Sequence, residues 1–384
     1  MLTRFSVKNF RSFKDELVLD FLNVRDYKFS TECIIDNTIS KAIIYGRNGV
    51  GKTNIGRALQ DIFITLYKAR IKYLDDDTSF LNAYSEEKVA SFTYEFSFDK
   101  QKAIYSYKKS SFNKLEYEKL IINGDVVFEY NHSDKKLINE NFNKYGLETI
   151  DINKYSESIA NNNDDFYRDA FLSWLYSNSS LTNDSIIGKI IMFSETMKFK
   201  GMGNLYRDIY GPHIFEKYKD THELKKMEKF FNDMGVKCTL HLSERLDGSL
   251  ELYYEYDNKY LAFNKVASSG ARDLFTLYDR IINRGSGSNK DYGLIFIDEF
   301  DAVYHYEMAE KIIRYIKDNY VESQVIITSH NTNLISNRLF RPDCYFILSS
   351  DGKIVPLCDA TQRELREGHN LEKMYISGEF SEHE

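Results

Sequence analysis

Eight consecutive residues could hold a phosphate group: Gly46, Arg47, Asn48, Gly49, Val50, Gly51, Lys52 and Thr53. They fit the pattern GxxxxGK[ST], whose glycines let backbone N–H groups turn inward around a β-phosphate. Lys52 can reach the β- and γ-phosphates, and the Thr53 hydroxyl can bind Mg²⁺. The plainer reading is a glycine turn that only caps a helix. The flanking residues favour the phosphate: apolar Lys41-Ala42-Ile43-Ile44-Tyr45 precedes the loop, and a helical period follows it.

A second candidate is Leu294-Ile295-Phe296-Ile297-Asp298-Glu299, an apolar strand ending in two carboxylates. Asp298 there would hold Mg²⁺, directly or through water, and Glu299 would polarise an attacking water as general base. Alone, such a run is more often a strand entering a solvated turn; beside a phosphate loop it gains meaning. Val325-Ile326-Ile327-Thr328-Ser329-His330 is a further apolar strand with a polar end. His330 could sense a γ-phosphate through a hydrogen bond, although a lone histidine at a strand end is commonly structural. Ala267-Ser268-Ser269-Gly270-Ala271 opens a predicted helix. Its serines cap that helix in the plain reading. In the functional one, Ser268, Ser269, Gly270 and the helix N-terminus bind the γ-phosphate of a nucleotide held by another subunit.

The elements that must position these residues follow from apolar periodicity. Residues 1 to 45 read as strands, and Ile55, Ala58, Leu59, Ile62, Phe63 and Leu66 mark one helix face. Residues 89 to 130 alternate as an antiparallel meander with Asn123-Gly124 at a turn. Asn161 to Asp165 reads as a boundary loop. Helices are predicted near 166 to 177, 185 to 199 and 213 to 234, then a strand pair over 236 to 257. Helices near 269 to 283, 303 to 319 and 361 to 376 alternate with strands at 294, 325, 344 and 353, which implies a parallel sheet. A Gly-Ser loop covers 285 to 288.

Composition narrows the class. The 384 residues carry 51 basic and 58 acidic side chains, a net charge of −7, which argues against a chain-wide polyanion-binding surface. No apolar run approaches the ~20 residues of a membrane span, so no membrane partner is expected. The four cysteines show no CxxC spacing; a zinc site and a disulfide framework are not expected, and a reducing cytoplasm is.

Together the four motifs resemble the ABC-type ATPase heads of the RecF/SMC branch. In that likeness the phosphate loop stands as Walker A and Asp298-Glu299 as Walker B. Ser268 to Gly270 stands as a degenerate signature, His330 as the switch histidine, and Asp301 lies in the D-loop position. Ala267, Ser269 and Ala271 depart from the usual Leu-Ser-Gly-Gly-Gln, and no Q-loop glutamine can be placed. The chain is also similar to the stand-alone AAA-type ATPases of abortive-infection and anti-phage systems, of which the PARIS and Septu ATPases are examples. That likeness rests on Asn9-Phe10-Arg11-Ser12-Phe13, the signature region, Ile297-Asp298-Glu299-Phe300-Asp301 and Asn370-Leu371-Glu372-Lys373-Met374-Tyr375.

The resemblance implies an α/β fold, a P-loop ABC-ATPase head with an antiparallel β-lobe and a helical/β insertion. Residues 1–130 and 262–384 would form the head, and 131–261 the insertion. It implies ATP and Mg²⁺ as cofactors, nucleotide-dependent homo-oligomers, and a separate effector protein, commonly a nuclease, in an anti-phage role. The 54 residues after His330 are too few for an appended nuclease domain of about 100 residues. The 214 between Thr53 and Ser268 are too few for long coiled-coil arms beside the predicted strands. A RecF-like repair ATPase acting on DNA and a scaffold with structural ATP stand as alternatives. Lys108-Lys109, Lys225-Lys226, and Arg363 with Arg366 on one face of the last helix are the weak candidates for nucleic-acid contact. Asp75-Asp76-Asp77 reads as a solvated loop.

Overall fold

The computed structural model describes residues 1–67, 79–161, 170–201, 214–257, 259–283 and 293–383. Asp75 to Asp77, Asn162 to Asp165, the Gly-Ser loop 285–288 and the start of the helix predicted at 166 lie outside them. The chain divides into two units: Met1–Met202 with Asp291–Asp298 and Tyr320–Glu384, and Gly203–Lys290 with Glu299–Asn319.

The first unit contains two sheets. One runs in the order Lys198–Lys200, Leu294–Ile297, Gln324–Ser329, Lys41–Tyr45, Tyr345–Leu348, Ile354–Pro356. Its strands pair in parallel except the last, which returns antiparallel. Ala42-Ile43-Ile44 and Leu294 to Ile297 are buried, as the apolar runs of a sheet covered on both faces require. The second sheet is an antiparallel meander of Ala90–Phe98, Gln101–Ser111, Lys114–Ile122, Asp125–Asn131 and Lys136–Glu140, joined at its other edge by Leu2–Lys8 and Leu17–Asp20. Its alternation sends Phe92, Tyr94, Tyr105 and Tyr107 inward; Phe92 and Tyr107 are cross-strand partners, stacked with centroids 5.1 Å apart.

The helix Lys52–Tyr67 buries Ile55, Ala58, Leu59, Ile62 and Leu66. Polar groups fix it to the meander. Tyr94 Oη donates to the Ala58 carbonyl at 2.7 Å, and the buried Asp61 carboxylate takes Lys109 Nζ at 3.0 Å on both oxygens and Tyr107 Oη at 2.9 Å. Lys109 also lies over the rings of Phe80 and Phe112. Lys109 is therefore no candidate for nucleic acid, because its ammonium is buried on Asp61. A second buried carboxylate, Glu118, accepts from Tyr105 Oη at 2.7 Å and from the Phe171 N–H at 2.6 Å, and thereby receives the start of the helix Phe171–Ser177.

Several boundaries differ from the sequence reading. The helix expected over 185–199 stops at Glu195, and Lys198–Lys200 becomes the edge strand beside Leu294–Ile297. The last helix covers only Leu371–Ile376, because Asn370 caps it by accepting from the Lys373 N–H. Residues 361–370 are irregular, and Asn337 Nδ2 holds them through the carbonyls of Arg366, Glu367 and His369. Arg363 and Arg366 thus share no helix face; they pair with Glu379 and Glu364.

The second unit contains the helix Thr221–Asp233, the antiparallel strands Leu240–Glu244, Leu250–Tyr256 and Lys259–Ala262, and the helices Ser269–Leu277 and Tyr306–Asn319. The turn at Asp247-Gly248 falls where expected; the third strand was not foreseen. The exposed Lys225 and Lys226 pair at i,i+3 spacing with the half-buried Glu228 and the buried Glu223 of their own helix.

Candidate functional site

The phosphate loop leaves the strand Lys41–Tyr45 and enters the helix Lys52–Tyr67, as its sequence requires. Gly49 and Gly51 have φ of +84° and +114°, conformations that L side chains rarely adopt. A methyl group on Gly51 would also lie 2.6 Å from Ser12 Oγ and 3.1 Å from the Phe13 ring. The Asn9-Phe10-Arg11-Ser12-Phe13 segment therefore lies against the loop, and Asn54 Nδ2 donates to Ser12 Oγ at 2.9 Å. Gly46 allows a second close approach, since a methyl there would stand 2.7 Å from the Leu348 carbonyl. Arg47, Asn48 and Gly49 are exposed and Val50 half-buried.

Lys52 is almost fully buried, and its Nζ donates to the carbonyls of Gly46 at 2.6 Å and Arg47 at 3.0 Å. The loop thus curls around its own ammonium group. Beside it, Thr53 Oγ1 donates to Asp298 Oδ2 at 2.6 Å, and Thr328 Oγ1 donates to Asp298 Oδ1 at 2.6 Å. The Asp298 backbone N–H is held by the Lys200 carbonyl at 2.8 Å. Gly201, with φ of +90°, passes so close that a methyl group would fall 2.4 Å from the Asp298 carbonyl oxygen.

Sequence reasoning found Lys52, Thr53 and Asp298 but gave Thr328 and the strand Lys198–Lys200 no part. A hydroxyl residue among the apolar positions of a neighbouring strand was the available signal for Thr328. Three residues, the half-buried Lys198 and the buried Phe199 and Lys200, are too short an alternation to mark a strand. His330 follows the strand Gln324–Ser329 and is exposed; it lies in the same unit as Lys52 and Asp298.

Ser268, Ser269, Gly270 and Glu299 belong to the second unit. Ser268 caps the helix Ser269–Leu277, accepting from the Ala271 N–H at 3.2 Å, and both serines are exposed. Gly270 faces the turn after Asp301, because a methyl there would be 2.9 Å from the Val303 carbonyl. Glu299 is exposed with φ of +46°, a left-handed conformation that costs a non-glycine residue of order 1 kcal/mol. Asp301 is buried, and its Oδ1 makes no hydrogen bond among the described residues.

The donor set suits a magnesium nucleotide. Hydroxyl and carboxylate oxygens are the hard ligands Mg²⁺ prefers, and Thr53 with Asp298 supplies both at one point. Glycines in left-handed conformation aim successive N–H groups at an anion, the Lys52 ammonium adds charge, and the following helix adds its N-terminal field.

A family model described as "AAA domain, putative AbiEii toxin, Type IV TA system" matches residues 41–336. Among solved structures, an SMC head bound to the C-winged helix domain of ScpA is 13% identical with a TM-score of 0.51; the match covers 93% of this chain and 97% of that one. The SMC head domain from Thermotoga maritima is 13% identical at TM-score 0.41, covering 92% and 98%. An SMC head with an extended coiled coil, bound to the C-terminal domain of ScpA from Pyrococcus furiosus, is 14% identical at TM-score 0.46, covering 93% and 96%. No curated protein matches the chain. At such identities the first likeness is one of fold: the chain has the α/β architecture of an ABC-type ATPase head.

Proposed function

This chain belongs to the AAA-domain family whose model spans its residues 41–336, and we propose that it binds and hydrolyses ATP with Mg²⁺ as the regulatory subunit of an anti-phage defence system. The observation that carries the ATPase reading is the joining of the phosphate-loop hydroxyl of Thr53 to the Asp298 carboxylate. In a nucleotide site these two groups share one cation.

Lys52 and the amides of Gly46 to Thr53 bind the β- and γ-phosphates. Magnesium, when bound, neutralises charge developing on those phosphates. Thr53 and Asp298 hold it. Glu299 takes a proton from the attacking water, and His330 hydrogen-bonds to the γ-phosphate and orients that water. Ser268, Ser269 and Gly270 of a second copy close on the same γ-phosphate. ATP then joins subunits and hydrolysis releases them, a two-state element that a trigger can bias.

The defence role is supported by the family description, which names a toxin of a type IV toxin–antitoxin system, and by the sequence likeness to abortive-infection ATPases. In this reading the chain is cytoplasmic, assembles with itself, and controls a separate effector, a nuclease. Among the described residues no helix is long and apolar enough to cross a membrane. The test is recovery of tagged Glu299→Gln protein from cells that encode it, with bound protein and nucleic acid identified together. A stoichiometric nuclease or other toxic protein with little DNA supports the proposal. Nuclease-sensitive DNA and no effector would overturn it in favour of a RecF-like repair ATPase.

A further inference from the structure

Thr328 stands out among its neighbours. The strand Gln324–Ser329 is buried along its length, and Val325, Ile326 and Ile327 fill three of its positions. Valine at position 328 would have the same shape and no polar atom to satisfy. A buried hydroxyl is costly unless it finds a partner. Its partner is Asp298 Oδ1 at 2.6 Å, and both residues are almost wholly enclosed, 0% and 2% exposed.

The register explains why this position reaches the carboxylate. Phe296 pairs with Ile326 and Ile297 with Ile327, so Thr328 lies one rung on, opposite Asp298. Side chains paired across parallel strands share a face, and alternate residues face away. Ile327 and Ser329 are thus directed away from Asp298, and position 328 is the place on this strand end from which a side chain meets it.

We propose that Thr328 is a positioning residue for the divalent cation: its hydroxyl fixes the plane of the Asp298 carboxylate while Thr53 engages the other oxygen. A carboxylate has about four lone-pair sites. The two hydroxyls take one on each oxygen and stop rotation about the Cβ–Cγ bond. The remaining two sites would be left for the ion or its water ligands. Thr53 keeps its own oxygen lone pairs for the ion, because it acts toward Asp298 as donor. The inference rests on the ATP–Mg²⁺ reading above and adds to it the residue that aims the metal-side carboxylate.

The test uses the full chain, a non-hydrolysable ATP analogue and Mn²⁺, with free Mn²⁺ followed by electron paramagnetic resonance. Loss of an outer partner of a metal ligand typically weakens metal binding about ten- to a hundredfold. Thr328→Val should weaken Mn²⁺ binding at least about tenfold, and Thr328→Ser should restore it to within about threefold of wild type. Should the valine variant not fold, Thr328→Ala against Thr328→Ser reads the same hydroxyl. Wild-type affinity in the valine or alanine variant would overturn the proposal, as would a serine variant as weak as they are, since packing would then be the cause. Wild-type protein that binds no Mn²⁺–nucleotide would instead sink the ATP reading itself.

Discussion

The Thr53 hydroxyl donates to the Asp298 carboxylate at 2.6 Å, although the two residues are 245 positions apart in the chain. The strands that deliver them are not neighbours: Gln324–Ser329 lies between Leu294–Ile297 and Lys41–Tyr45. The intervening strand supplies Thr328 to the other carboxylate oxygen. Three consecutive strands of one parallel sheet thus converge on a single carboxylate at their carboxyl ends, where open α/β sheets bind ligands.

Gly51→Ala should damage the phosphate loop from within. The substitution meets φ of +114° and a contact of 2.6 Å with Ser12 Oγ together. We expect a stability loss of about 1–3 kcal/mol, read from urea midpoints, and nucleotide binding weakened about tenfold or more. An unchanged urea midpoint with unchanged affinity would contradict this view of the loop.

Lys109→Met should destabilise the unit that contains the phosphate-loop helix, because it leaves the Asp61 carboxylate buried without its cation. Removing one partner of a buried pair costs about 3–5 kcal/mol. The double variant with Asp61→Asn should recover part of that loss, since the two residues form one network. Equilibrium denaturation of the single and double variants measures the coupling; strictly additive losses would speak against it.

How far the sequence revealed this arrangement depended on the range of the interaction. Gly46 to Thr53 announced itself, because its glycine spacing and flanking periods are local. The meander was legible for the same reason, through the alternation of Phe92, Tyr94 and Phe96. Lys109 misled, because nothing near it in sequence shows that Asp61, 48 positions earlier, shares its interior. Thr328 is illegible for a like reason: its partner lies 30 positions earlier, just past the end of the neighbouring strand Leu294–Ile297. The true start of the final helix is written locally, since Gly368-His369-Asn370 contains a cap and a breaker.

Glu299→Gln should separate binding from turnover. A glutamine keeps the size of the side chain but cannot take a proton, so hydrolysis should fall by about 10²- to 10⁴-fold while ATP affinity stays within a few fold. Oligomers formed on ATP should then persist, which light scattering after ATP addition would register. Turnover equal to wild type would remove Glu299 from the role of base.

The most direct test of the account is equilibrium binding of ATP to wild-type protein and to Lys52→Ala, with and without Mg²⁺. The Lys52 ammonium is held inside the loop by the carbonyls of Gly46 and Arg47. A charge-assisted contact to phosphate contributes about 1.5–3 kcal/mol, so its loss should weaken binding about ten- to a hundredfold. The account predicts Mg²⁺-dependent binding by wild type and that loss in the variant. ATP bound equally well by both proteins, or by neither, would contradict it.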